Sequence, residues 1–150
     1  MERDLRLLEG VRGVLHPLRM RARPIVVHEE DAELESWGDA ARGAVHWRTL
    51  LSGDRTASAA LTLGVAELPP GADAPRPHRH APPEAYYILE GTGVVEIDGR
   101  EHAVRTGSAV FLPADASHCL RNTGPGSLRL VYVFPVDSFE DVEYVFPDEG

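Results

Sequence analysis

From residue 45 onward the chain falls into short apolar or alternating runs separated by turn residues, and this cadence restricts the fold more than any other feature. VHWRTLL, ASAALTLGVAEL, YYILEG, GVVEI, HAVRTG, AVFLP and LRLVYVF are each strand-sized. Turn residues separate them at Ser52-Gly53-Asp54, Pro69-Pro70-Gly71, Asp98-Gly99, Pro113 to Ser117 and Asn122 to Ser127. Seven or more short strands in about 90 residues predict an all-β fold, an antiparallel sandwich or barrel. Asp98-Gly99, between GVVEI and REHAV, predicts a two-residue hairpin, because a type I′ turn needs positive φ at both centre positions.

The segment before the barrel has a different period. Leu5, Leu8, Val11, Leu15 and Leu18 recur at three- and four-residue steps, which predicts a short amphipathic helix to about His16, stopped near Pro17. Such a helix packs on the body of the protein or on a twin subunit; one helix is too little for a groove-reading motif. Residues 29 to 43, EEDAELESWGDAARG, are acidic and aperiodic and read as a surface connector with one turn of helix at most. The expected organisation is residues 1–44 as N-terminal helix and connector, and 45–150 as β-barrel, with an acidic tail from Asp137 that wraps the barrel edge or frays.

Charge and composition remove several classes of function. A formal net charge of -9 disfavours nucleic acid and anionic membrane as partners, since phosphate binding needs clustered cations. All 15 basic residues are Arg, so no lysine Schiff base can form. The single cysteine, Cys119, cannot make an internal disulfide. No run approaches the roughly 20 apolar residues of a membrane span, and the N-terminus mixes acids with arginines where a secretion signal needs an apolar stretch. A cytoplasmic location is expected.

The chemistry concentrates in HRHAPPEAYYILEG, residues 78 to 91. In extended chain, side chains at i, i+2 and i+4 share a face, so His78 and His80 point one way, as do Glu84, Tyr86 and Ile88. Pro82-Pro83 stiffens the turn between the two sets. Two imidazoles and a carboxylate converging from adjacent segments suit a divalent transition metal, whose charge offsets a buried Glu that would otherwise be costly. A third histidine, His118, stands downstream in GSAVFLPADASHCLRN.

Together these two stretches resemble the paired motifs of the cupin superfamily. The first runs Gly71-x6-His78-x-His80-x3-Glu84-x6-Gly91, and the second Gly107-x5-Pro113-x-Asp115-x2-His118-x3-Asn122. The resemblance implies a small jelly-roll β-barrel in which His78, His80, Glu84 and His118 bind one divalent transition metal (Fe, Mn, Ni or Zn) at the wide mouth. Two departures stand out. The first glycine lies one residue further from His78 than the commonest spacing, and Asp115 replaces the usual Gly, where Asp tolerates a left-handed backbone better than most residues.

Neighbouring residues read more plainly. Tyr86 is the inner tyrosine by parity with Glu84, either packing or serving as general base, and Tyr87 is the outer one. Cys119 reads as a small core residue, Asn122 as a backbone cap, and Trp37 and Trp47 as core or interface anchors. His16, His28, His46 and His102 read as surface or core residues.

Three His and one Glu leave positions open around a metal for a small anionic or polar organic substrate. The expected activity is that of a lyase or isomerase in which Tyr86 removes an α-proton. A metal dioxygenase on the same site and a non-catalytic ligand sensor are the alternatives. The run His78-x-His80-x3-Glu84-x-Tyr86 with His118 is similar to that of cupin dimethylsulfoniopropionate lyases, which implies Tyr86 as the base for β-elimination. The N-terminal stripe and the family resemblance lead to the expectation of a homodimer.

Overall fold

The computed structural model describes residues 21–147 apart from residues 38, 40, 41, 73 and 74. The helix expected up to about His16 therefore lies outside the described residues. Nine strands follow in order: β1 (Glu35–Ser36), β2 (His46–Leu51), β3 (Thr62–Leu68), β4 (Glu84–Glu90), β5 (Thr92–Ile97), β6 (Arg100–Arg105), β7 (Ala109–Leu112), β8 (His118–Asn122) and β9 (Leu128–Phe134). They form two antiparallel sheets, one of six strands in the order β1-β2-β3-β9-β4-β7 and one of three in the order β6-β5-β8. The antiparallel all-β fold anticipated from the strand cadence, and the jelly-roll barrel implied by the cupin resemblance, are the architecture observed.

Alternation decides which side chains enter the barrel. On β4, Glu84, Tyr86 and Ile88 are buried while Ala85, Tyr87 and Leu89 are exposed. On β9, Leu128, Leu130, Tyr132 and Phe134 point inward. With Val95, Val104, Leu112 and Leu120 these residues make one continuous core between the sheets. The hairpin at Asp98-Gly99 has φ of 48° and 80°, both positive as a type I′ turn requires. Asp115 sits at φ 60°, the left-handed conformation that its motif position demands.

Elsewhere the structure departs from the expectations. The run ASAALTLGVAEL yields a strand only from Thr62. Its Ala- and Ser-rich start has little to bury and is drawn into a turn by Asp137, which accepts Gly53 N–H at 2.6 Å on its carbonyl and Ala60 N–H at 2.6 Å on its carboxylate. Strand β8 has a side-chain pattern too irregular to be read as a strand, and pairing with β5 fixes it instead. The acidic tail is packed, not frayed. Val142 and Phe146 are buried, and Val145 pairs with Arg79 through two backbone bonds. The connector contributes a 3₁₀ turn at Glu29–Asp31 and the edge strand β1. No helix among the described residues is long and apolar enough to cross a membrane.

Candidate metal centre and its cavity

Backbone pairing brings the two histidine motifs together. His78 N–H donates to His118 carbonyl at 3.0 Å and His118 N–H to His78 carbonyl at 2.8 Å, so a loop residue and the first residue of β8 are fixed face to face. Asp115 N–H donates to the His80 carbonyl at 2.9 Å, which ties the Pro113 to Ser117 turn to the same loop. Glu84 enters from the first position of β4, where the alternation of that strand turns it inward. The imidazole centroids of His78, His80 and His118 lie 4.4 to 5.8 Å apart, and each ring offers a nitrogen within 4.8 Å of the others.

The protonation pattern suits a cation. Nδ1 of His80 is 2.8 Å from the Pro82 carbonyl and Nδ1 of His118 is 2.8 Å from the Ala116 carbonyl. Such contacts place the proton on Nδ1 and orient Nε2 as the ligating atom. Glu84 Oε2 lies 3.0 Å from His80 Nε2 and 3.4 Å from His118 Nε2. The second contact is poorly aligned: His118 Nε2 is buried and has no hydrogen-bond partner. A buried nitrogen without a partner is costly unless something else takes its lone pair, and a divalent ion would do so. Burial first, then the charges of His118 and His80, push the His78 imidazole down to about 3, which keeps it neutral and able to ligate. At His80 burial opposes the charged form, but the Glu84 hydrogen bond and charge and the Pro82 carbonyl outweigh it and raise the pKa. The three histidines fit a metal chemically, and Glu84, hydrogen-bonded to His80, brings a carboxylate beside them.

The cluster opens on a cavity of about 270 Å³ between the sheets. His78, Glu84 and Tyr86 stand on its wall. Burial, then Glu84, Tyr144 and Cys119, push the Tyr86 phenol well above 10, and its ring lies 6.5 Å from His118. Cys119 is buried and shares the cavity wall; burial raises its thiol.

Several wall residues carry no site expectation from the sequence, which marks Trp37 and Trp47 only as core or interface anchors. Tyr144, from the tail, packs 4.9 Å from His78 and 5.4 Å from His80, and burial followed by Glu84 raises its phenol well above 10. Trp37, from the connector, packs on Trp47 at 5.1 Å and on Tyr144 at 5.2 Å, and Arg42 lies over the Trp37 ring at 5.4 Å. Trp47 also lines the cavity, with a buried indole N–H that has no hydrogen-bond partner. Tyr132 reaches Thr49 at 3.1 Å, and Thr49 donates to Glu35 at 3.2 Å. The inward parity of LRLVYVF could have flagged Tyr132, and the alternation of Val142, Tyr144 and Phe146 could have flagged Tyr144; nothing local in the connector marks Trp37. Asn122 caps the NTGPG turn: its amide donates to the Leu68 and Gly126 carbonyls and accepts Gly124 N–H.

Comparison with known proteins agrees with this architecture. A cupin domain model matches residues 64–134. The chain is 45% identical over 123 residues to dimethylsulfoniopropionate lyase DddW of Ruegeria pomeroyi, covering 82% of this chain and 80% of the relative. The polyketide cyclase RemF of Streptomyces resistomycificus superposes with a TM-score of 0.68 at 25% identity, over 85% of this chain and 89% of that one. A predicted oxalate decarboxylase from Thermotoga maritima superposes with a TM-score of 0.64 at 28% identity, over 75% and 99%. The chain belongs to the cupin family.

Proposed function

We propose that this protein is a metal-dependent lyase that cleaves dimethylsulfoniopropionate, or a close onium carboxylate, by β-elimination with Tyr86 as base. The observation that carries the reading is a buried phenol on the cavity wall beside three histidines and Glu84. The relative DddW, named a dimethylsulfoniopropionate lyase, supports it. A divalent ion held by His78, His80, Glu84 and His118 would carry a net charge of about +1 together with the Glu84 carboxylate and would attract a substrate carboxylate. Trp37, Trp47 and Tyr144 line the cavity, and aromatic side chains of this kind attract an onium group through cation–π interaction.

Tyr86 is a neutral phenol where burial and Glu84 dominate, and it becomes a base when positive charge at the histidines offsets them. Its oxygen then takes the proton on the carbon next to the carboxylate. The released electron pair forms the carbon–carbon double bond, the carbon–sulfur bond breaks, and its pair leaves on sulfur as dimethyl sulfide, with acrylate as the other product. The proton returns from Tyr86 to solvent, so the sum is neutral in electrons.

The test is headspace dimethyl sulfide from protein loaded with each of Fe, Mn, Ni and Zn. Production without oxygen, falling roughly 10²- to 10⁴-fold in Tyr86→Phe at unchanged metal content, is the expected result. No product with any metal, or oxygen-dependent turnover that Tyr86→Phe leaves near normal, would refute the elimination.

A further inference from the structure

One row of the large sheet carries a hydrogen-bonded line in which the proposed elimination has no step. Thr49 on β2, Gly64 on β3, Tyr132 on β9 and Tyr86 on β4 are cross-strand neighbours in register, and all four are buried. Because Gly64 has no side chain, the Tyr132 ring lies across β3, where a Cβ on Gly64 would meet its hydroxyl. From there the hydroxyl reaches Thr49 Oγ1 at 3.1 Å, and Thr49 Oγ1 donates to Glu35 Oε2 at 3.2 Å. Glu35 is held in turn by two nitrogens of Arg55, at 2.9 and 3.0 Å. The line therefore joins the cavity wall, of which Tyr132 is part, to a partly exposed ion pair.

Its direction follows from its last member. An ionised carboxylate only accepts, so Thr49 gives its one hydroxyl hydrogen to Glu35. Thr49 is then an acceptor towards Tyr132, whose proton points at Thr49 and not into the cavity. Burial above all pushes the Tyr132 phenol up to about 12, so that proton stays in place at neutral pH. What Tyr132 has left for the cavity is a lone pair.

We propose that Thr49, oriented by Glu35, is a positioning residue that fixes the Tyr132 hydroxyl as an acceptor, so that this end of the cavity selects a cationic head group over a neutral one of the same shape. This rests on the reading above in one respect, that the substrate carboxylate lies at the histidines. Tyr86 and Gly64 stand two strand spacings apart, about 10 Å, so the Tyr132 hydroxyl faces the far end of a short-chain ligand held there. The methyl groups of an onium share its positive charge and are drawn to an oxygen lone pair, whereas a neutral head gains nothing from it. Without Thr49 the phenol would be free to turn its proton inward, and its dipole would then oppose a cation.

Binding selectivity tests it, in full-length Tyr86→Phe protein loaded with zinc, so that the ligand is not consumed. The probes are dimethylsulfoniopropionate and isocaproate, in which a C–H group replaces the sulfonium, with affinities from calorimetry. The preference for the onium should fall roughly tenfold in Thr49→Val, as loss of a polar contact to a charged group implies, and return in Thr49→Ser. Isocaproate affinity should hold throughout, whereas a merely disturbed wall would weaken both ligands alike. Tyr132→Phe keeps the ring over Gly64 and should lose the same preference, and combining it with Thr49→Val should lose no more, since Thr49 acts through Tyr132. An unchanged preference in either variant, or both ligands weakened together, would overturn the proposal. The two readings fail separately. A Thr49-dependent preference in a protein that makes no dimethyl sulfide sinks only the elimination, dimethyl sulfide without that preference sinks only the positioning role, and no binding of either ligand sinks both.

Discussion

Replacing Gly64 with Ala isolates one contact on which the cavity wall depends. Gly64 lies on β3 opposite Thr49, and the Tyr132 ring crosses above it. A Cβ there would meet the Tyr132 hydroxyl and ring and would stand 2.6 Å from the Arg48 carbonyl. Gly64 is not among the glycines with positive φ, so backbone strain plays no part. Tyr132 is 5% exposed and has little room to retreat, except into the cavity that it lines. Overpacking of this kind costs about 1 to 3 kcal/mol. Breaking the Thr49–Tyr132 hydrogen bond adds about 1 kcal/mol. Gly126 is the matched control, since a Cβ there meets nothing within 4 Å and its φ is ordinary. The two variants should differ by about 2 to 4 kcal/mol, which for a chain of this size is a Tm difference of roughly 4 to 16 °C at about 2 to 4 °C per kcal/mol. Scanning calorimetry of Gly64→Ala and Gly126→Ala side by side measures it. Equal Tm values would show that Tyr132 is not held against Gly64 and that the wall is looser than its geometry implies.

Two further outcomes concern the metal. His118→Ala should sharply lower metal content by elemental analysis while circular dichroism stays that of the folded barrel, and equal occupancy would remove His118 from the ligand set. Metal affinity should rise with pH, because the proton that Glu84 holds on His80 must leave before Nε2 can ligate. The folded pKa of His80 lies above 6.5, so without metal the stabilisation from the His80–Glu84 pair is full below 6.5 and is lost as pH rises through the raised value. Affinity measured by calorimetry should therefore weaken as pH falls through that value, and an affinity constant between about pH 5.5 and 8 would refute the pairing.

Period-two alternation made much of this molecule legible beforehand. It placed Glu84, Tyr86 and Ile88 on one face and Tyr87 on the other, and the burial along β4 follows it residue by residue. The turn chemistry of Asp98-Gly99 and of Asp115 was equally readable, because positive φ is a local demand that few residues meet. What could not be read was tertiary in origin. His118–Asn122 becomes a strand through its partner β5, and Tyr144 reaches the histidines because Phe146 and Val142 bury the tail. Acidic composition pointed the other way, although Val142, Tyr144 and Phe146 alternate and mark the face that the structure buries.

The metal site and the space in front of it thus come from different parts of the chain, and this bears on how such a protein acquires specificity. All four candidate ligands are set by the barrel: two by the loop before β4, one by the head of β4 and one by the head of β8. Trp37 comes from the connector, and Phe139 and Tyr144 from the tail, yet all three face the same cavity. The barrel strands are held along their length by backbone hydrogen bonds, whereas the connector and the tail are tied to them at only a few positions, Glu35–Ser36 and Val145, and have more freedom to vary. Under the proposed lyase function, the histidines and Glu84 would hold the chemistry while the flanking segments select the small molecule, their rings receiving a cationic head group and the histidine cluster its carboxylate.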